Sequence, residues 1–244
     1  MLKFFKKRNM PGRLVIYDDI PFKEDSKNLI KFDMVQKLNP SYNIAPTLAL
    51  PALLNNGNYL YGHFGFLPSW AKDRASMNIN ARSESIFEKK TFREAFKSRR
   101  CIIPINGFYE WKKENKEKIP FYVSSSTNKY LALAGIWDEW FDKDLNMKIV
   151  TLALITCDAN NKLAKIHHRM PVVLEKQDFK TWLNSSDIQE LNKMFRIYES
   201  SNINIQEVRK EINKVSFNEA SCLDKKVEIK EEIKEEKIPS LFDL

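Results

Sequence analysis

The chain has 244 residues, of which 43% are hydrophobic and 12% aromatic, enough for one large domain with a buried core. Six glycines exclude a collagen-like or linker composition, and no apolar run approaches the roughly 20 residues that a membrane-spanning helix needs, so no membrane partner is expected. Formal charge is +8; the tail from Lys225 onward sets five lysines against five glutamates and Asp243, net −1, so the remainder carries +9 and suits a polyanion such as nucleic acid.

In chain order, residues 1–9 form a basic extension too short for a secretory signal. Within residues 24–38, Leu29, Phe32 and Met34 recur at roughly helical spacing and predict a helix. Residues 48–54 and 59–66 read as strands joined by a turn at Asn56-Gly57. Ser85 and Glu88 make a capping-box pattern, and Phe92, Ala95 and Phe96 continue one apolar helical face that should end in the basic cluster Lys97, Arg99, Arg100. The middle is strand-rich, at 101–105, 108–112, 120–124, 130–137 and 148–156. Helices are predicted at 175–183 and 187–198, the second opening on Asp187 and Glu190, and a final strand pair at 203–208 and 214–217. Strands in series with irregularly placed helices predict an α+β fold rather than a doubly wound sheet. The expected boundaries are an extension over 1–9, one domain over 10–224, and a charged tail over 225–244.

Three cysteines, Cys101, Cys157 and Cys222, are an odd number without C-x-x-C spacing, which argues against a disulfide framework or a zinc site and fits a reducing cytoplasm. Cys101 and Cys157 lie in apolar runs and read as core thiols. His167 and His168, if extended, would point to opposite faces, a poor metal site. No metal and no cofactor is expected.

Five short segments set polar or titratable side chains among bulky apolar neighbours: SYNIAPT (41–47), GFLPSWAKD (65–73), NARSE (80–84), GFYEW (107–111) and IHHRMP (166–171). Asn80, Arg82, Glu110 and His167 stand out, because a buried group of that kind needs a partner or has a chemical task. Singly each has an ordinary structural explanation; the signal lies in their joint occurrence.

Together with FREAFKSRRCIIPINGFYEWK, AGIWDEW, TCDAN and IHHRMPVVL, these segments resemble the SRAP-domain family, proteins that recognise abasic sites in single-stranded DNA. The resemblance runs from about Met10 to the Val215-Ser216 region. It implies an SRAP-like fold, mostly antiparallel strands forming a barrel-like sheet with peripheral helices. It also implies covalent DNA–protein crosslinking in the DNA-damage response: an N-terminal cysteine attacks the abasic aldehyde with its amine and closes a thiazolidine with its thiol. By the same resemblance Glu110 moves protons during imine formation, His167 opens the sugar and protonates leaving oxygens, and Asn80 and Arg82 orient the sugar and hold a flanking phosphate. Arg13, Lys72, Arg82 and Arg169 are candidates for the DNA backbone, with Asn43 beside them. Pro46 and Trp70 are candidate flat surfaces under bases.

The chain departs from the family at the nucleophile. It reads Met10-Pro11-Gly12-Arg13 where the family reads Met-Cys-Gly-Arg. With translation from Met1, Pro11 is a tertiary amide and neither amine nor thiol exists there. With Met10 as the start, removal of the initiator exposes Pro11 as a secondary amine able to form an iminium but not to cyclise. Cys157, within TCDAN, is a weak substitute. Three rivals stand beside the crosslinking reading: an abasic-site lyase acting through Pro11, a catalytically silent nucleic-acid binder, and a peptidase that processes its own N-terminus. The terminal peptide IPSLFDL, with Ile238 and Leu244 at its ends, is similar to short Leu-Phe peptides that bind bacterial sliding clamps, which makes a clamp a candidate partner.

Overall fold

The computed structural model describes residues 12–17 and 39–226. The extension over 1–9, Pro11, the helix predicted over 24–38 and the peptide at the C-terminus lie outside the described residues. The strands, numbered among the described residues, are β1 (Arg13–Ile16), β2 (Ser41–Ile44), β3 (Ala49–Leu54), β4 (Tyr59–Phe64), β5 (Asn80–Arg82), β6 (Arg100–Ile105), β7 (Gly107–Glu114), β8 (Glu117–Ser125), β9 (Leu131–Asp142), β10 (Met147–Asp158), β11 (Arg169–Pro171), β12 (Val173–Leu174) and β13 (Ile203–Glu207). The helices are α1 (Lys90–Ser98), α2 (Phe179–Asn184) and α3 (Ile188–Asn192).

Strands β10, β4, β3, β6 and β9 pair in that order, and β9 pairs back onto β10, so the sheet closes into a barrel. Most pairings are antiparallel; β10 runs parallel to β4 and to β5. The fold is α+β with a mixed closed barrel and peripheral helices, as expected. Residues 151–157 of β10 are buried without alternation, because that strand is covered on both faces. The Asn56-Gly57 turn forms as predicted, with Gly57 at φ +85°, a conformation a side chain would strain.

A second sheet, in the order β13-β8-β7-β1-β2, packs one face on the barrel. Leu14, Ile16, Ile44, Phe108 and Val123 belong to that main core. Val15, Tyr109 and Tyr122 point the other way, into a smaller core closed by Val208, Ile212 and Cys222 from the C-terminal part of the chain. Alternation along β7 therefore returns Glu110 to the barrel side.

Three expected elements differ. Helix α1 begins at Lys90 with no side-chain cap; the Ser85 carbonyl instead accepts from the Glu88 and Lys89 amides, and Phe87 packs edge-on against Phe96 at 4.9 Å, bending the chain before the helix starts. Asp187 does cap α3 by accepting from Gln189 N and Glu190 N. That helix stops at Asn192, however, and the following residues carry Met194 and Tyr198 into the core, where Asn160 Nδ2 holds the Tyr198 carbonyl at 2.8 Å. Residues 214–217 form no strand. The Asn43 side-chain amide takes the carbonyls of Ile212, Lys214 and Phe217, so they have no ladder to join, and β13 pairs with β8 instead.

Candidate functional site

Glu110 projects from β7 and His167 from the turn that follows a single 3-10 turn (Leu163–Lys165) and precedes β11. Glu110 Oε1 lies 3.5 Å from His167 Nδ1, with side-chain exposures of 4% and 10%. That separation is longer than a well-formed hydrogen bond, and Oε1 is buried with no hydrogen-bond partner. Loss of water therefore dominates, against a smaller opposing hydrogen bond from the Trp111 backbone, and the carboxyl pKa is pushed up to about 8. Near neutral pH the group keeps its proton and can serve as an acid.

His167 is held through its neighbour. The Arg169 amide donates to His167 Nδ1 at 3.2 Å, and the Arg169 guanidinium is anchored by Glu84 Oε1 at 2.5 Å, Glu84 Oε2 at 3.0 Å, Asp158 Oδ1 at 2.7 Å and the Thr156 carbonyl at 2.6 Å. Burial raises the Glu84 carboxyl, but hydrogen bonding and charge from Arg169, with the charge of Arg82, outweigh it and leave the group below the usual range. His167 and His168 are not extended. Their rings lie 4.5 Å apart, and among the described residues no group of three or more His, Cys, Asp or Glu side chains is placed to hold a metal.

The same strand, β10, orders the rest of the site. Its register sets Leu154 beside Asn80 and Thr156 beside Arg82 on β5, and Asp158 beside Arg169 on β11. Asn80 is buried and Arg82 exposed. The structure thus brings Asn80, Arg82 and Arg169 around one end of β10, and Glu110 against the adjoining His167. Strand β1 meets β7 with Arg13 opposite Tyr109; one further step in that register places Gly12 opposite Glu110. Pro11 lies outside the described residues.

The other sequence candidates fall elsewhere. Arg13 and Asn43 sit on the far face of the second sheet: Arg13 donates to Asn43 Oδ1 at 2.7 Å and to the Ile212 carbonyl at 3.0 Å, and its guanidinium lies 5.9 Å from the Trp111 ring. Asn43 is 1% exposed. Arg169 is committed to two carboxylates, as described above. Trp70 is 55% exposed in the loop between β4 and β5, with Lys90 Nζ 5.6 Å from its ring. Ser69 N donates to Asp138 and the Ala71 carbonyl accepts from Trp140, which ties that loop to β9. Lys72 is exposed and Pro46 half-buried; Thr47 beside it adopts φ +79°, uncommon for a β-branched residue. Cys157 is 3% exposed and burial pushes its thiol up to about 11, which removes it as a thiolate near neutral pH. Glu84, in NARSE, and Asp158, in TCDAN, are site residues that the sequence alone does not single out; their signal is that a buried arginine in IHHRMP requires counter-charges.

The sequence matches the profile of the family described as SOS response associated peptidase (SRAP) over residues 10–215. It is 34% identical over 223 residues to abasic site processing protein YoaM of Bacillus subtilis, covering 88% of this chain and 98% of that one. It is 32% identical to YoqW of the same organism, covering 88% and 99%. A crystal structure of a protein from Bacteroides thetaiotaomicron superposes with a TM-score of 0.77 at 25% identity, covering 87% of this chain and 99% of that one. The site around Glu110 and His167 is therefore carried by a member of the SRAP family.

Proposed function

We propose that this protein recognises abasic sites in single-stranded DNA and processes them at the Glu110–His167 pair. The observation that carries the reading is a desolvated carboxyl, its pKa pushed up to about 8, facing an imidazole at 3.5 Å, beside the point where β1 enters the sheet. Family membership and the names of the Bacillus relatives support the substrate. An abasic sugar in its open form is an aldehyde, and its capture by an amine needs a proton delivered to the departing oxygen and another removed from nitrogen. Glu110 supplies the acid, His167 shuttles protons, Asn80 orients the sugar, and exposed Arg82 takes a flanking phosphate. Trp70 and Pro46 offer flat surfaces to bases.

The amine is Pro11 when the chain begins at Met10. Its iminium lacks a thiol for ring closure, so the adduct is reversible or decays by strand scission. When the chain begins at Met1 the same pocket acts as a silent binder. One experiment separates these outcomes: incubate the protein with single-stranded DNA bearing one abasic site, with and without borohydride, and resolve the products on a denaturing gel. An adduct only with borohydride supports the imine. An adduct without borohydride refutes the role given to the missing thiol. Salt-sensitive binding with no adduct supports the silent binder, and neither adduct nor binding sinks the proposal. Mass spectrometry of the native N-terminus fixes the start. The terminal peptide from Ile238 is proposed as a clamp ligand, tested by pull-down of the sliding clamp with and without residues 238–244.

A further inference from the structure

We propose that Glu84 is a positioning residue for His167: acting through Arg169, it fixes which imidazole nitrogen carries the proton. Arg169 is 5% exposed, and a guanidinium so placed persists only where its charge is answered. Glu84 answers with both oxygens, at 2.5 and 3.0 Å, in the bidentate geometry that fixes orientation as well as charge. Asp158 Oδ1 and the Thr156 carbonyl complete the clamp at 2.7 and 2.6 Å. Strand β11 is only three residues long and its register runs from Thr156 to Asp158 of β10. The clamp thus fastens the first residue of a short edge strand to the two β10 residues at its border.

The consequence reaches His167 through the Arg169 backbone. An amide N–H can only donate, and the Arg169 amide points at Nδ1 from 3.2 Å. Nδ1 must then present its lone pair, and the neutral ring carries its proton on Nε2. The Glu110 carboxyl faces the same nitrogen from 3.5 Å, longer than a formed hydrogen bond, so the Arg169 amide is the donor that selects the tautomer. The opposite tautomer would set Nδ1–H against the Arg169 N–H and take away the lone pair to which that amide donates. Where the proposed function holds, the orientation defines a relay. The Nε2 proton passes to the leaving oxygen of the sugar as Nδ1 accepts the proton of Glu110, and the return of both protons restores the pair. The tautomer itself does not depend on that reading.

Glu84 is 51% exposed at its side chain and Asp158 73%, so both are accessible to substitution without opening the core. The test uses the full chain labelled with 15N-histidine and long-range proton–nitrogen spectra of the free protein, with His167 assigned against variants of His63 and His168. The wild type should show a non-protonated Nδ1 and a protonated Nε2. Glu84→Gln keeps the shape and removes the charge; it should produce a mixture of tautomers, with Glu84→Asp intermediate. A wild-type ring protonated at Nδ1, or an unchanged signature in folded Glu84→Gln, overturns the proposal. If Glu84→Gln does not fold, Asp158→Asn decides the matter by the same readout, with a smaller shift in the same direction expected and no shift refuting it. In the borohydride assay Glu84→Gln should lower adduct yield about tenfold at unchanged affinity for single-stranded DNA. A wild type that neither forms an adduct nor binds abasic single-stranded DNA refutes the proposed function, whereas the imidazole spectra still decide the role of Glu84.

Discussion

Two buried polar clusters lie on opposite faces of the same five-stranded sheet, and they are built on opposite plans. On the outer face Asn43 gives its amide to three carbonyls and takes Arg13 on its oxygen, Asn218 Oδ1 accepts from the Tyr42 and Asn43 amides, and Trp111 donates to Asn213. On the inner face the Glu110 carboxyl is desolvated and Oε1 has no hydrogen-bond partner. A satisfied network rigidifies; an unsatisfied acid keeps a proton in reserve and a high pKa. The outer cluster fastens the C-terminal part of the chain to β1 and β2, and the inner one holds a desolvated acid.

The largest effect is expected from Glu110→Gln. It should lower abasic-adduct formation by roughly 100-fold or more while leaving the fold intact. The linkage has a definite sign. The folded carboxyl has its pKa raised from the ordinary 4.5 to about 8, so its contribution to stability is fully present below about pH 4.5 and is lost as pH rises through about 8. Urea denaturation of the wild type at pH 5, 7 and 9 should show that fall, and Glu110→Gln should flatten it. A variant that is uniformly destabilised at all three values would make Glu110 a structural group like Asn43.

Asn43→Ala tests the other face. It leaves three carbonyls and the Arg13 guanidinium short of a partner, and should cost about 2–4 kcal/mol of unfolding free energy. Affinity of the folded protein for abasic single-stranded DNA, measured by anisotropy, should not change. Normal stability with lost DNA affinity would place Asn43 on the binding surface.

The difference between the faces also explains what the sequence revealed. The barrel was legible because β3, β4, β6, β9 and β10 are apolar runs bounded by turn residues, and Asn56-Gly57 announces its hairpin. Glu110 and His167 were legible as titratable groups among aromatic and aliphatic neighbours, and the structure brings them together. Arg13, Asn43 and Arg169 were read as one basic, DNA-facing set because composition carries no information about sheet faces. Alternation along β1 and β7 sends Arg13 outward, a bulge in β2 sends Asn43 the same way, and Glu84 and Asp158 hold Arg169. Residues 214–217 have strand-like composition, yet a single side chain, Asn43, takes the carbonyls that a strand would need. No local pattern announces that contact across 169 to 174 residues of sequence.

Beyond both buried clusters lie the exposed groups, where smaller effects are expected. Trp70→Ala should weaken binding to single-stranded DNA by about 1–2 kcal/mol through lost base stacking, measured by titration at fixed salt. Its unfolding free energy should stay within about 0.5 kcal/mol of wild type, because the ring is 55% exposed.

Arg82→Ala is the mildest and the most discriminating. Arg82 is the exposed cation of β5, set beside Thr156 of β10, whereas Arg169, on β11 across β10, is already paired with two carboxylates. If Arg82 meets a phosphate, its removal should reduce the slope of log affinity against log salt by about 0.7, the increment for one contact on a single strand. Arg169→Gln should instead act through loss of the fold around His167, with adduct chemistry falling more than the salt slope. Equal loss of slope in the two variants would mean that DNA displaces Glu84 or Asp158 from Arg169, and the division between a structural and a phosphate-facing arginine would have to be redrawn.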